Sequence, residues 1–181
     1  MGLNGKTLGI VGLGHIGKQI AKVAQAFDMS VLAWQPTIRE DECKAVNVAC
    51  ASSLDELMRR SDIVTIHMVL AESTKGMIGL RELSLMKPTA FMINAARGPL
   101  VDEDALVRVL QDKRIAGAGL DVFDTEPLPA NHPFRTLPNV LTTPHLGYVV
   151  QENYEVFYGE AVEDIKAWQN SAPIRTLPEL N

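Results

Sequence analysis

Three closely spaced glycines near the start of the chain constrain its fold more than any other feature. Gly12, Gly14 and Gly17 follow an apolar run over residues 8–11 in the pattern G-x-G-x-x-G. An amphipathic segment comes directly after them, and its apolar residues have the spacing of one helical face. These residues are Ile16, Ile20, Val23, Ala24 and Phe27. The order strand, tight turn and helix predicts the first unit of a parallel α/β sheet.

The spacing of these glycines also fits the binding of a pyrophosphate. Gly12 allows a sharp turn off the strand, Gly14 lets the backbone approach a phosphate closely, and Gly17 lets the helix pack against the strand. The helix N-terminus attracts phosphates because its N–H groups are unpaired and its dipole end is positive. Glycine-rich turns are often purely structural, but the position between a buried strand and an amphipathic helix favours dinucleotide binding.

Strands and helices alternate along the rest of the chain, without internal repeats. Further strands are predicted at residues 30–34, 45–49, 61–67, 90–94, 115–122 and 139–143. Helices are predicted after Ser53 and at residues 80–86, 102–113 and 151–169. This alternation requires right-handed crossovers. It predicts an α/β fold with a doubly wound parallel sheet, of the Rossmann dinucleotide-binding type, followed by a long C-terminal helix.

The composition excludes several classes of function. A hydrophobic fraction of 46% and a charged fraction of 22% are typical of an ordinary soluble globular protein. The net charge of −5 argues against a nucleic-acid or membrane partner, and no spacing of His or Cys suggests a metal site. Cys43 and Cys50 lie in a segment of loop and short strand, so we expect no disulfide framework and a reducing, cytoplasmic location.

The residue that closes the second strand bears on the choice of cofactor. In this fold an acidic side chain at that point bonds the ribose 2′-hydroxyl and repels a 2′-phosphate. This sequence has Gln35 there, and Arg39 lies just beyond it. Gln35 is either an ordinary polar turn residue or a sign of relaxed choice between NAD and NADP, and the sequence leaves both readings open.

Three ionisable residues lie in loops that follow predicted strands, where open parallel sheets bind their ligands. Taken singly, Arg97 is a solvated loop cation, Glu126 a turn residue before a proline, and His145 a strand cap. Taken together they have a chemical use. A guanidinium grips a carboxylate, and a histidine beside a carboxylate serves as acid and base near neutral pH.

Four motifs in this order resemble the D-isomer-specific 2-hydroxyacid dehydrogenases. They are GLGHIG at residues 12–17, NAARG at 94–98, GLDVFDTEP at 119–127 and TPHLG at 143–147. By this likeness Arg97 would bind the 2-oxo acid, and His145 would donate and accept the proton. Glu126 would orient His145 and favour its protonated form. The reaction implied is hydride transfer between NAD, or NADP, and a small 2-oxo or 2-hydroxy acid.

The same likeness implies a set of cofactor-binding residues. The backbone at His15 and Ile16 would face the pyrophosphate, and Asp121 would contact the nicotinamide end. Gln35 would take the position of the usual ribose-binding Asp. The full set is Gly12, Gly14, His15, Ile16, Gly17, Gln35, Met68, Ala95, Ala96, Arg97, Asp121, His145 and Gly147. The sequence departs from the family at Val69, where a proline is usual.

Family members have two domains, and most of the substrate domain precedes the glycine motif. This chain opens almost directly on the first strand, so we expect residues 1–148 to form a dinucleotide-binding domain. Residues 149–181 would form a helix and tail that return towards a substrate domain. Two functions follow from this organisation. The chain is the NAD-binding portion of an oxidoreductase, or it is a non-catalytic dinucleotide-binding or interaction module.

The last predicted helix carries an apolar and aromatic stripe. Its members are Tyr154, Phe157, Tyr158, Ala161, Val162, Ile165 and Trp168. Such a stripe usually belongs to a core, but one face of a sheet is too narrow to cover all of it. Family members dimerise through the cofactor domain, so we expect a two-fold homodimer with this helix at or beside the contact.

Overall fold

One parallel sheet organises the chain in a computed structural model, which describes residues 2–177. Its strands are β1 (Thr7–Val11), β2 (Ser30–Trp34), β3 (Ala49–Cys50), β4 (Ile63–Ile66), β5 (Phe91–Asn94), β6 (Gly117–Leu120) and β7 (Val140–Thr142). They lie in the order β3-β2-β1-β4-β5-β6-β7, and every neighbouring pair is parallel. The strand order reverses at β1 and β4, which places a crevice at their carboxyl ends. The predicted doubly wound sheet is confirmed.

Six α-helices accompany the strands in the described part of the chain. They are α1 (His15–Ala26), α2 (Glu40–Lys44), α3 (Leu54–Arg60), α4 (Leu80–Leu83), α5 (Glu103–Gln111) and α6 (Gln151–Gln169). Side-chain caps fix two of the starts. Ser53 accepts a hydrogen bond from the Glu56 N–H, and Asp102 accepts one from the Ala105 N–H. The described residues divide into two compact units, one ending at His145 and one beginning at Leu146.

The core of the first unit lies on both faces of the sheet. Neighbouring residues of β1 point to opposite faces, so Ile10 belongs to one buried cluster and Val11 to the other. The central strands β4 and β5 contribute Ile66 and Met92, which are fully buried. The sheet is therefore covered on both sides, which is the usual state of an all-parallel sheet.

The apolar face predicted for α1 is only partly buried, at Ile20 and Ala24. Ile16, Val23 and Phe27 are each more than half exposed, and the buried residues are Gly17, Ala21 and Ala24. The physical reason is the short distance between α1 and β1. A Cβ at Gly17 would overlap the carbonyl oxygen of Gly12, so only glycine fits where α1 comes closest to the end of β1.

The expectation of no disulfide framework is contradicted at the two cysteines. Cys43 and Cys50 form a disulfide, with their Cα atoms 5.9 Å apart. Residues 45–47, predicted as part of a strand, instead make a turn after α2, with Asn47 in the left-handed region at φ 54°. This turn brings α2 back beside β3, within the distance that a disulfide spans.

The second unit contains α6, and none of the residues of α6 is buried. Phe157, Ile165 and Trp168 are more than half exposed, so the prediction that their stripe forms part of a core is wrong. The unit consists of one long helix with short flanking segments, and it has no second layer against which this stripe could pack. No helix in residues 2–177 is long and apolar enough to span a membrane.

Candidate active site

The glycine turn has the geometry that the sequence pattern requires. Gly12 has φ 102°, and a Cβ there would lie 2.7 Å from the carbonyl oxygen of His67. Only glycine meets both demands. The N–H of Gly12 donates to the carbonyl oxygen of Trp34 (2.8 Å), and the N–H of His67 donates to that of Val11 (2.8 Å). These bonds fix the turn between the neighbouring strands β2 and β4.

The start of α1 is open to an anion. Gly14 is its N-cap residue, and within the described residues neither a side-chain cap nor an acidic residue occupies its first turn. A Cβ added at Gly14 would meet no protein atom within 4 Å. The amides at His15 and Ile16 therefore combine a positive dipole end with open space, which suits a pyrophosphate.

Gln35 braces the glycine turn from the end of β2. Its Oε1 accepts a hydrogen bond from the N–H of Leu13 (3.0 Å). Because Oε1 is bonded to Leu13, a ligand would meet the Nε2 group of this side chain, which is a hydrogen-bond donor. Arg39 instead pairs with Asp41 of its own helix start (3.2 Å) and is well exposed.

The loop after β5 is held by a buried asparagine. The Nδ2 of Asn94 donates to the carbonyl oxygen of Arg97 (3.0 Å), and its Oδ1 accepts from the N–H of Ala96 (3.1 Å). A Cβ at Gly98 would overlap the backbone of Phe123. The loop carrying Arg97 is thus packed directly against the loop after β6, while the Arg97 side chain stays exposed.

Glu126 and His145 form a hydrogen-bonded pair across the loops after β6 and β7. The Nδ1 of His145 lies 2.7 Å from Oε2 of Glu126, and the other carboxylate oxygen accepts from the N–H of Phe123 (3.0 Å). His145 has φ 57°, which residues other than glycine seldom adopt. The backbone of His145 therefore takes an uncommon conformation to point its ring at Glu126. The Glu126–Pro127 peptide bond is cis.

The pKa of Glu126 lies below its ordinary value. Burial alone would raise the pKa of this carboxyl, but the hydrogen bonds from His145 and from the Phe123 N–H lower it. The positive charges of His145 and Arg97 lower it further. Arg97, in the loop after β5, therefore acts on the Glu126 carboxyl through its positive charge.

A second polar contact joins the same two strand ends. Thr143 donates from Oγ1 to Oδ1 of Asp121 (2.5 Å), and the N–H of Asp121 donates to the carbonyl oxygen of Asn94 (2.9 Å). The ends of β5, β6 and β7 are tied together in this way. Beside them lies a cavity of about 460 Å³, lined in part by Phe123, Glu126 and His145.

Most of the residues predicted for the site lie in loops at the carboxyl ends of the strands. The loops that follow β1, β2, β4, β5, β6 and β7 carry Gly12, Gly14, Gln35, Met68, Ala95, Ala96, Arg97, Asp121, Glu126 and His145. His15, Ile16 and Gly17 lie in the first turn of α1, and Gly147 belongs to the second unit. Sequence reasoning missed the positioning residues Asn94 and Thr143. A polar residue at the end of an apolar strand is the signal for both.

Comparison with known proteins identifies the family. The model described as "D-isomer specific 2-hydroxyacid dehydrogenase, NAD binding domain" matches residues 1–147. The chain belongs to this family. Since the match covers the glycine turn, Arg97 and the Glu126–His145 pair, the first unit is an NAD-binding domain of this family.

Individual relatives agree with this assignment. The chain is 40% identical over 164 residues to a D-3-phosphoglycerate dehydrogenase of Methanocaldococcus jannaschii, covering 91% of this chain and 31% of the relative. It is 46% identical over 144 residues to a glyoxylate reductase of Thermofilum pendens, covering 80% and 42%. The chain therefore spans less than half the length of these two relatives.

Solved structures give the same fold. A phosphoglycerate oxidoreductase of Vibrio cholerae matches with a TM-score of 0.90 and 36% identity, over 95% of this chain and 55% of that one. An acyclic imino acid reductase in complex with NADPH and D-Arg matches with a TM-score of 0.80 and 32% identity, over 98% and 55%.

The pKa of Glu126 provides a direct test of this geometry. We expect NMR titration of its carboxyl carbon to give a value below 4.5, and His145→Ala to raise that value by removing a hydrogen bond. Because the pKa of Glu126 is lower in the folded chain, folding favours the ionised carboxylate of this residue. The pair's stabilisation is complete above the ordinary Glu pKa and is lost as the pH falls through the lower folded value.

A matched control is available in the second histidine–glutamate pair, His132 and Glu103, whose side chains lie 3.1 Å apart. His132→Ala should leave the pKa of Glu126 unchanged. A value at or above 4.5 in the unsubstituted chain, or equal effects of the two substitutions, would contradict the described contact.

Proposed function

We propose that the chain supplies the cofactor site and the catalytic residues for the reversible reduction of a small 2-oxo acid to a 2-hydroxy acid. The observation that carries this proposal is the Glu126–His145 pair beside Arg97, at the same sheet edge as the glycine turn. Family membership supports it. When bound, the nicotinamide supplies or accepts the hydride.

The residues present fit such a cofactor. The open N-terminus of α1 would hold the pyrophosphate, and the space beside Gly14 lets the phosphates approach the backbone. The Nε2 of Gln35 would donate to the ribose. Asp121, tied to Thr143, lies at the end of β6, where it would contact the nicotinamide end.

The same loops would bind the acid and move the proton. The exposed guanidinium of Arg97 would hold the substrate carboxylate, because its planar fork matches that group. With Nδ1 bound to Glu126, Nε2 of His145 is the ring atom that gives the proton to the substrate oxygen and takes it back. Glu126 is ionised at neutral pH and stabilises the imidazolium.

Turnover tests the proposal. Glyoxylate, pyruvate and hydroxypyruvate are offered to the chain with NADH and with NADPH, and cofactor oxidation is followed by absorbance. We expect turnover, and we expect His145→Asn and Arg97→Ala each to lower kcat/KM by about a hundredfold or more. His132→Asn, in the other histidine–glutamate pair, should retain the rate.

A second candidate function follows from the share of the relatives that the chain covers, which is 31% and 42% for the two described above. A non-catalytic dinucleotide-binding module would bind the cofactor with the same residues and show no rate above background with any 2-oxo acid. That outcome would contradict the claim of turnover and favour the module.

Cofactor binding is tested at the glycine turn. Gly14→Val puts a branched side chain where the pyrophosphate must approach, while the protein itself leaves space for it. We expect the Kd for NADH to rise at least about a hundredfold, roughly 2.7 kcal/mol, with the melting curve little changed. Gly159→Val is the control, since an added Cβ there also meets nothing within 4 Å. Normal binding by Gly14→Val would rule out this turn as the phosphate site.

Cofactor selectivity is tested at Gln35. No carboxylate repels a 2′-phosphate at this position, and the Nε2 group offers it a donor. The solved imino acid reductase, which this chain resembles, is in complex with NADPH. We expect NADPH to bind within about tenfold of NADH, roughly 1.4 kcal/mol, and Gln35→Asp to favour NADH. A thousandfold preference of the unsubstituted chain for NADH would contradict this account.

We also propose that the chain forms a two-fold homodimer through the exposed stripe of α6. Burying apolar surface contributes about 25 cal/mol per Å² before the costs of association. Sedimentation at micromolar concentration should give twice the mass of one chain, and Trp168→Asp should give the mass of one chain. Val156→Asp, on the opposite face of the helix, is the control. A monomer in the unsubstituted chain would contradict the dimer.

We propose, on the family likeness, that residues 1–148 form the dinucleotide-binding domain and residues 149–181 a separate helix and tail. Residues 178–181 lie outside the part of the chain that the structure describes. Because Cys43 and Cys50 form a disulfide, the cysteines do not support the proposed cytoplasmic location. Its remaining support is the proposed use of a nicotinamide cofactor.

A further inference from the structure

We propose that Cys43 and Cys50 form a redox-responsive disulfide that sets how tightly the chain holds the adenosine end of its cofactor. The disulfide joins two short elements at β3, which is the outermost strand on one side of the sheet. Cys43 lies in the five-residue helix α2, and Cys50 ends the two-residue strand β3. The N–H of Val48 also donates to the carbonyl oxygen of Cys43 (3.0 Å), and β3 pairs with β2. The disulfide adds a covalent closure to these non-covalent contacts.

The linked segment is continuous with the residues that face the ribose. The chain runs from Gln35, at the end of β2, through residues 36–38 to Arg39, the N-cap of α2. The Sγ of Cys50 lies 3.7 Å from the carbonyl oxygen of Arg39. Cys43, four residues beyond Arg39, is buried in the cluster against which Ile38 packs. The N–H of Cys43 donates to the carbonyl oxygen of Arg39 (3.3 Å), so both cysteines contact the backbone at Arg39.

Sheet register brings the disulfide close to the glycine turn as well. Cys50 stands beside Ala33 of β2, two residues before Gln35. Gln35 in turn accepts the hydrogen bond from the N–H of Leu13. A change in how β3 and α2 are held is thus passed through β2 to the loop that binds the pyrophosphate under the proposed function.

The exchange chemistry is set by access to the two sulfur atoms. Cys43 is buried, and Cys50 is partly exposed. One thiolate of a dithiol reductant attacks Sγ of Cys50, the disulfide bond breaks, and Cys43 leaves as a thiolate that takes a proton. The second thiol of the reductant then displaces Cys50. Two electrons and two protons pass to the protein, which gains two thiols, and the reductant becomes a cyclic disulfide.

Reduction removes the covalent closure of residues 43–50 and leaves the backbone from Gln35 to Arg39 less restrained. This segment then has to be ordered when the cofactor binds, and that cost weakens binding. NADH and NADPH share the adenosine ribose, so both should bind more weakly in the reduced form. We expect a loss of about three- to tenfold, which corresponds to ordering one or two side chains with their backbone.

The test compares the two redox states of the unsubstituted chain. The protein is equilibrated with oxidised glutathione or with dithiothreitol, its thiols are counted after denaturation, and its Kd for NADH and for ADP-ribose is measured by calorimetry. We expect no thiols and tighter binding after oxidation, and two thiols and weaker binding after reduction. The double variant Cys43→Ser with Cys50→Ser should bind like the reduced chain and ignore dithiothreitol.

Three results would overturn the proposal. Two thiols after treatment with oxidised glutathione would show that the pair does not close. Equal affinities in two verified redox states would show that closure does not reach the cofactor. Absence of NADH binding in both states, despite a closed disulfide, would contradict the proposed cofactor function itself, and the inference would fall with it. The thiol count separates this third result from the first.

Discussion

The parallel pairing of the strands is the constraint on which the rest of the structure depends. Because all seven strands run in one direction, the loops that follow them leave the sheet at one edge. The sequence places its glycine turn, its arginine and its glutamate–histidine pair in those loops. Close packing then sets the distances between them, since Gly12 approaches His67 and Gly98 approaches Phe123 with no room for a side chain. The parallel topology therefore gathers the site residues at one end of the sheet, and the close approaches at Gly12 and Gly98 set the spacing of the loops.

Several polar contacts at these strand ends hold the loops in position. Asn94 fixes the turn that carries Arg97, and Asp121 with Thr143 ties the neighbouring strand ends. Residues that hold one another in this way place the exposed Arg97 side chain and the ring of His145 at the same strand ends. The carboxyl of Glu126 remains ionised because the hydrogen bonds and positive charges around it outweigh its burial. A partly exposed carboxylate whose two oxygens both accept hydrogen bonds is a stable partner for a histidine that changes its protonation state.

Sequence alone predicted the sheet and the grouping of the site, because apolar periodicity and the glycine spacing are local signals. It did not predict features that depend on distances between elements. The closest approach between α1 and β1 is Gly17 against Gly12, and Ala21 and Ala24 rather than Ile16 and Val23 are buried on the same helix. The Cys43–Cys50 bond depends on a turn at Asn47 that residue spacing does not reveal. The hydrogen bond from the Leu13 N–H to Gln35 joins residues 22 apart in sequence. The position of Gln35 at a strand end does not predict the orientation of its side-chain amide.

Amide NMR during titration with NAD tests the central claim, that these loops form one cofactor site, most directly. The account predicts concerted shifts at Gly14, His15 and Ile16 together with Ala96 and Asp121, all saturating with one Kd. Amides at the opposite edge of the sheet, such as those of Lys113 and Asn139, should remain unchanged. Saturable binding that leaves the glycine turn unmoved, or that shifts the opposite edge instead, would contradict it.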